Sequence, residues 1–472
     1  MGAPVPPLDL SVPGNYHVVG VGGPGMSAIA IALAEMGHDV TGSDIRERAV
    51  LDRVRAAGVR VYVGHRRAHV HGRDAITYST AIPAKNIELD EAAKIGVRSM
   101  HRSGMLASIC AMAKSIGVAG THGKTSTTSM LMLMLAEAGW RPNFVVGGDV
   151  TDMGTGAQWT GGEWLVVEAD ESDGTHLELP LHGTILTNIE VDHLDHYGTY
   201  EAIIEGFDRY LGQIDGPKVL CIDDPRCAAL AERHGAITYG THPSADFVAT
   251  RVTPTGGSFE FDVVHHGTLL GSVVLPLRGV HNVRNATGAI AMAVTIGVPF
   301  EVAVRALAKF GGVARRFDLR GMDGGATLVD DYAHLPNEIA AVLAAAKGSG
   351  DGWRRVVAVF QPNRFNRMAV MWRDYRDAFV NADLVVLTDI FASGTTPIPG
   401  VTGKLVVNAV LDAHPRTRLA WLPRRGDLVE YLARELRDGD VCISMGCGDI
   451  ATLPDEVQAR RGQLRASGQL VS

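Results

Sequence analysis

The sequence predicts an α/β protein of three domains, and three observations carry that prediction. Short apolar runs alternate with longer stretches of helical spacing, which is the pattern of βαβ units and parallel sheets. Many of the 55 glycines stand where an apolar run meets a helical pattern. The 472 residues suffice for two to four domains of ordinary size. In chain order, 16–20 reads as a buried strand, 25–37 as a helix and 38–44 as a second strand. Further strands at 75–80 and 97–100 complete a Rossmann-like domain over 1–112. A second block opens with a strand at 115–120, a glycine-rich turn and a helix through 129–139, followed by buried strands at 164–170 and 183–189. Residues 246–278 alternate apolar and polar, which suits an antiparallel flank, and 283–310 read as helices. Together 113–320 predict a central P-loop-type ATPase domain with a mixed sheet. The third block, 321–472, repeats the Rossmann-like pattern, with strands at 326–334, 354–360, 383–390 and 440–446 and a helix opened by Pro336. The polar stretch 458–472 predicts a frayed tail.

Composition narrows the function. Apolar residues make up 46% and charged residues 20%, an ordinary globular mix. The net charge of −8 argues against a nucleic-acid binder, which needs a phosphate-neutralising surface. Cys110, Cys221, Cys227, Cys442 and Cys447 show no CxxC spacing, so reduced thiols in a cytoplasm are expected. No apolar run reaches the ~18 residues of a membrane span. The first residues carry no basic segment of a secretory signal, and Pro6 stands where myristoylation wants Ser or Thr. The expectation is a cytoplasmic protein, monomer or homodimer, without nucleic acid or membrane insertion.

Five segments carry chemistry. Gly20, Gly22, Gly23 and Gly25 form a G-x-G-x-x-G turn between strand and helix, where backbone N–H groups can meet a diphosphate. Asp44 ends the next strand, where a ribose-binding acid would sit; NAD, another nucleotide diphosphate and a structural turn all remain open. Gly120-Thr121-His122-Gly123-Lys124-Thr125-Ser126 departs from the general P-loop pattern at Val118 but keeps its physics. Lys124 at a helix N-terminus is disfavoured unless an anion sits there, and the hydroxyl of Thr125 suits Mg²⁺. Glu168, Asp170, Glu171 and Asp173 end a hydrophobic strand facing that turn, and Glu168, nearest the strand, is the expected Mg²⁺ ligand. Asp192, His193, Asp195 and His196 could serve zinc only with a distant further ligand, so a histidine beside magnesium or phosphate is the favoured reading. Finally Asp331, Tyr332 and His334 end one strand, while Gln361, Arg364 and Arg367 follow another; the two arginines can grip one anion.

In this order the strings at 120–127, 168–174, 187–198, 279–286, 314–318, 330–338 and 444–450 resemble the Mur ligase family, the ATP-dependent amide-forming enzymes of peptidoglycan precursor synthesis. The opening at 17–30 and the segment 79–83 are similar to its alanine-adding branch, as is the lack of any lysine between Lys124 and Lys218. The resemblance implies that ATP, Mg²⁺, UDP-N-acetylmuramate and L-alanine are bound, and that the reaction passes through an acyl phosphate. It gives ATP to Gly120, Thr121, His122, Gly123, Lys124, Thr125, Ser126, His281, Asn282, Asn285, Arg316 and Asp331, with the metal at Thr125, Glu168 and His193. It gives the UDP-sugar to Gly20, Gly22, Gly23, Gly25, Met26, Ser27, Asp44, Thr80, Ala81 and Arg102. Tyr332, His334, Arg364 and Arg367 would frame the amino acid, with Lys124, His193 and His334 catalytic. The chain departs from the family at Leu335 and Asn363, each where a histidine is usual, and at Ser103 and Gly104. These departures leave glycine, L-serine or a murein tripeptide open as the amine. A dehydrogenase and a nucleotide-gated scaffold are the other readings.

Overall fold

The computed structural model describes residues 7–150, 154–192 and 194–470. The apolar runs form three sheets. The first holds β1 (Asn15–Val19), β2 (Asp39–Asp44), β3 (Arg60–Val63), β4 (Ala75–Tyr78) and β5 (Arg98–His101) in the order β3-β2-β1-β4-β5, all parallel. The strand order reverses direction at β1, and the turn from Gly20 to Gly25 leaves its carboxyl end at that switch point.

The second sheet has ten strands: β6 (Lys114–Ala119), β7 (Asn143–Val150), β8 (Thr155–Gln158), β9 (Trp164–Glu168), β10 (Gly183–Leu186), β11 (Lys218–Cys221), β12 (Ile237–Gly240), β13 (Phe247–Thr255), β14 (Ser258–His265) and β15 (Thr268–Leu275). Its order is β15-β14-β13-β12-β11-β10-β6-β9-β7-β8, with β6 parallel to both neighbours and β7 antiparallel to β8. The neighbours β13, β14 and β15 are joined by two-residue links, which only antiparallel pairing permits, so the sheet is mixed.

The third sheet runs β16 (Asp318–Asp323), β17 (Ala326–Asp331), β21 (Asp440–Met445), β18 (Arg355–Phe360), β19 (Leu384–Leu387), β20 (Leu419–Trp421), with only the edge strand β16 antiparallel to its neighbour. Its pleat sends Val356, Ala358 and Phe360 into one buried cluster, and Val357 and Val359 into another on the opposite face. Both faces are therefore covered, as a parallel sheet requires.

Two compact units result. One gathers the described residues of Met1–Val252, Glu260–Pro276 and Asn282–Val313, and the other those of Thr253–Phe259, Leu277–His281 and Ala314–Ser472. In the first unit one core joins Val18, Leu33 and Met105 to Leu165, Val167 and Phe207. No helix among the described residues is long and apolar enough to cross a membrane. All five cysteines are free thiols, and four are buried.

The expected frayed tail is wrong: Leu453–Ala466 is a helix. Leu453, Val457 and Leu464 are buried, and so is Arg461, at 4% exposed. Its guanidinium donates to Asp323 Oδ1 (2.7 Å) and to the carbonyls of Ala433 (2.9 Å) and Leu436 (3.0 Å). A charged residue on the inward face breaks the apolar period, which is why the sequence reads as unpatterned there.

Candidate functional site

Buried strand β6 ends at Ala119, and the chain turns at once into the helix Lys124–Glu137. Gly120 holds φ +124°, and a Cβ there would lie 2.2 Å from Thr187 Oγ1. Gly123 holds φ +83°, and a Cβ there would lie 2.7 Å from Asn285 Oδ1. Neither position tolerates a side chain. The segment after β10 clamps this loop. Thr187 Oγ1 and Asn188 Nδ2 donate to the His122 carbonyl at 2.6 and 3.0 Å, and His122 N donates to Asn188 Oδ1 at 2.9 Å. Glu190 N donates to Thr121 Oγ1 at 2.8 Å. The result is a rigid loop at the N-terminus of a fourteen-residue helix, a setting made for anions.

Lys124 is folded into this loop. Its Nζ donates to the Gly120 carbonyl at 2.6 Å and to both carboxylate oxygens of Glu171 at 2.9 and 2.8 Å. Burial works against its charge, but Glu171 and Asp170 outweigh it and hold the ammonium protonated. Thr125 and Ser126 occupy the first helical turn. Asn282 and Asn285 come from the helix Val280–Thr295, and Asn285 Nδ2 donates to Asn282 Oδ1 at 3.4 Å. His281 lies in the first turn of that helix but belongs to the other compact unit.

Glu168 ends β9 in register with Val118 of β6, one strand spacing from the loop. A hydroxyl and a carboxylate, Thr125 and Glu168, are hard oxygen donors and fit magnesium, which keeps its other positions for water and phosphate. A lysine held at a helix N-terminus among glycines likewise fits a triphosphate. His193, the remaining expected ligand, lies outside the described residues. Asp192 beside it is buried and His196 is exposed.

Arg102 opens the helix Arg102–Cys110 and forks two acids of the same cluster. Its Nη2 donates to Asp170 Oδ2 at 2.6 Å and its Nε to Asp173 Oδ2 at 2.8 Å. Burial works against ionisation of Asp170, yet Lys124 and Arg102 hold its carboxyl well below the usual range. The arginine thus ties the first sheet to the second, and a Cβ on Gly25 would lie 3.5 Å from its Nη1. In the first loop, Gly20 holds φ +76° and Gly22 N donates to Asp44 Oδ2 at 2.9 Å. A Cβ on Gly22 would sit 2.6 Å from that oxygen. Asp44, 5% exposed, therefore braces the glycine turn. Met26 and Ser27 are buried just inside the helix Pro24–Glu35, and Thr80 and Ala81 are exposed after β4.

In the other unit, Asp331 ends β17 and accepts Phe317 N and Ala333 N, each at 2.7 Å. The guanidinium of Arg316 lies 5.4 Å from the Tyr332 ring centre, and that of Arg315 5.0 Å. Arg315, Phe317 and Arg364 hold positive φ (63°, 50° and 60°), a conformation non-glycine residues adopt only where the surroundings compel it. His334 Nδ1 lies 3.1 Å from the Tyr332 carbonyl, and Glu338 Oε2 accepts the backbone N–H of His334 (2.8 Å) and Leu335 (3.0 Å). Leu335, where the family carries a second histidine, is 4% exposed at the N-cap of the helix Pro336–Lys347. Arg364 caps the helix Phe365–Met371, and Arg367 Nη1 donates to Asn363 Oδ1 at 3.2 Å. Gln361 ties the strand end to Asp449 at 2.8 Å.

Burial pushes the Asp331 carboxyl up to about 6, against the pull of Arg316. Its folded value exceeds its unfolded one, so its contribution to stability is full below about pH 4 and is lost as pH rises through 6. A rise of about two pH units corresponds to roughly 2–3 kcal/mol. Denaturant unfolding at pH 5 and pH 8 checks this: Asp331→Asn should flatten the pH dependence, and an unchanged profile would place the titration elsewhere.

Sequence reasoning named Glu171 in the acid cluster without its partner, Lys124. It missed Thr187, Asn188, Glu190 and Glu338, each of which braces a site residue. Their signal was present in the matched strings, but which of neighbouring acids faces inward depends on turns that spacing does not specify.

This architecture and this loop define a class. The Mur ligase family, catalytic domain model matches residues 15–114, the Mur ligase middle domain 118–293, and the Mur ligase, glutamate ligase domain 315–448. The chain belongs to the Mur ligase family. Within it, the chain is 40% identical over 451 residues to a UDP-N-acetylmuramate–L-alanine ligase of Sorangium cellulosum, covering 94% of this chain and 96% of the relative. It is 41% identical over 441 residues to the enzyme of that name from Pelotomaculum thermopropionicum, covering 92% and 95%. The UDP-N-acetylmuramate–alanine ligase structure from Thermotoga maritima superposes with a TM-score of 0.81 at 26% identity, covering 95% of this chain and 99% of that one.

Proposed function

We propose that the chain joins L-alanine to UDP-N-acetylmuramate at the expense of ATP. The observation that carries this reading is Lys124, held protonated at a helix N-terminus by Glu171 in a loop no larger residue could form. That arrangement leaves a phosphate group as the natural competitor for the ammonium. A dehydrogenase reading of Gly20–Gly25 gives Lys124 and its acids no task.

In the first step, the lactyl carboxylate of UDP-N-acetylmuramate attacks the γ-phosphorus of ATP, forming the acyl phosphate as the bond to ADP breaks. Lys124 and the N–H groups of its helix stabilise the charge spread over the transferring oxygens. Thr125 and Glu168 would hold magnesium, the ion to which the family resemblance also gives His193, and it would supply further positive charge there. In the second step, the amino group attacks the acyl carbonyl, and the tetrahedral intermediate expels phosphate. If His334 Nδ1–H donates to the Tyr332 carbonyl, its Nε2 is left as an acceptor that can take the ammonium proton. Arg364 and Arg367 would hold the amino-acid carboxylate, with Tyr332 beside them. His281, Asn282, Asn285, Arg316 and Asp331 would contact the rest of the nucleotide. The turn from Gly20 to Gly25, with Asp44, Thr80, Ala81 and Arg102, would receive the UDP portion.

ADP release measured with Mg²⁺ and UDP-N-acetylmuramate, adding L-alanine, glycine, L-serine or a tripeptide in turn, tests the reading. ADP should appear only when the sugar nucleotide and L-alanine are both present. Release with the tripeptide alone would reassign the amine. No release from folded protein would overturn the ligase reading.

A further inference from the structure

The first sheet holds a buried cluster that none of this chemistry uses. Glu88, in the helix Ile87–Ile95, is fully buried, and its carboxylate is surrounded by imidazoles. His69 Nδ1 lies 2.6 Å from Glu88 Oε1, His17 Nε2 3.6 Å from the same oxygen, and His65 Nδ1 2.8 Å from Oε2. Ser43 Oγ donates to Oε2 at 2.6 Å and Arg66 N to Oε1 at 3.2 Å. The ion pairs of Glu88 among the described residues are with His17, His65 and His69. A buried carboxylate requires compensation, and among the described residues that pair with Glu88 the imidazoles are the groups that can carry it, unless a cation binds.

His17 sharpens the choice. It is fully buried on β1, and its Nδ1 is engaged with Thr41 Oγ1 at 2.8 Å. Among the described residues its Nε2 has no hydrogen-bond partner, and it lies 3.6 Å from Glu88 Oε1.

We propose that His17, His69 and Glu88 form a site for a divalent transition-metal ion of the zinc class. Their ligand atoms all lie within 4.8 Å of one another. Two imidazoles and one carboxylate are the donor set of zinc, whereas magnesium prefers oxygen alone. The ion replaces the proton shared between His69 Nδ1 and Glu88 Oε1. Thr41 fixes the His17 ring, Ser43 and His65 fix the second carboxylate oxygen, and Tyr62 stacks on His69 at 4.1 Å. These are the outer partners that orient metal ligands. The side chains of His65 and His69 are 14% and 10% exposed, which gives the ion a path inward.

The test is a Co²⁺ titration of the full chain after chelator treatment, with excess Mg²⁺ covering oxygen-only sites. One equivalent should bind with the intense visible absorption of a four-coordinate ion, Zn²⁺ should displace it, and Zn²⁺ should raise the melting temperature. His69→Gln should weaken binding by more than about 100-fold, and Thr41→Val by about 10-fold. His69 is the variant of choice because His17, fully buried, could fail to fold when replaced. Equal Co²⁺ affinity in His69→Gln, a pale six-coordinate spectrum, or no binding by folded wild type would each overturn the site and leave the cluster as a proton-sharing carboxylate.

Discussion

Replacing Lys124 by methionine is expected to abolish ADP formation, lowering kcat by about 10³-fold or more. The same substitution should destabilise the fold, because Glu171 is only 2% exposed and would lose the ammonium that both its oxygens accept from. Stranding such a carboxylate costs about 3 kcal/mol. Folding and turnover are therefore entangled at this position, and a second substitution separates them. Lys124→Met with Glu171→Gln removes both charges and should recover most of the melting temperature while ADP release stays absent. Thermal unfolding and ADP release on the three variants check both halves. Near-normal turnover in Lys124→Met would place the phosphate site elsewhere, and an unaltered melting temperature would mean the pair bears no structural load. Glu171→Gln alone should keep the fold, and it tests whether the carboxylate competes with phosphate for the ammonium: KM for ATP should fall.

The glycine turn at Gly120–Lys124 was legible in the sequence as a tight loop between a buried strand and a helix, and the structure has that loop. The strands themselves were legible too, since apolar runs buried on both faces need no alternation to be recognised, but those expected at 164–170, 183–189, 326–334 and 383–390 end two or three residues earlier. What was not legible depends on direction. Four acids fall within the six residues from Glu168, the end of β9, to Asp173, and spacing alone favoured Glu168 without showing that Glu171 turns back to Lys124 while Asp170 and Asp173 turn to Arg102. The tail helix escaped notice because Arg461 occupies an inward position, satisfied by Asp323 and two carbonyls that only the tertiary fold brings near. The histidines around Glu88 escaped for the same reason: His17, His65, His69 and Glu88 are spread over 72 positions that no local motif connects. Asp44 ends β2 as the sequence suggested, and its Oδ2 accepts from Gly22 N.

Arg102 is the residue whose assignment most needs separating into parts. The family resemblance gives it to the UDP-sugar, whereas the structure spends its Nε and Nη2 on Asp173 and Asp170. Both uses are compatible, since a guanidinium has five donors and Nη1 faces the Gly25 turn. Arg102→Met should lower the stability of the first unit by about 3 kcal/mol, because two neighbouring carboxylates lose their shared cation. It should also raise KM for UDP-N-acetylmuramate. Asp173→Asn keeps the guanidinium and its bond to Asp170, so it should cost less stability and move KM little. Arg102→Lys keeps the charge but cannot fork two acids, and should fall between wild type and Arg102→Met in stability. Denaturant unfolding and KM for the sugar nucleotide, measured on all three, distinguish the roles. An unchanged KM in Arg102→Met would confine the residue to holding the two sheets together. An equal rise in Arg102→Met and Asp173→Asn would mean that the fork acts only by placing the glycine turn.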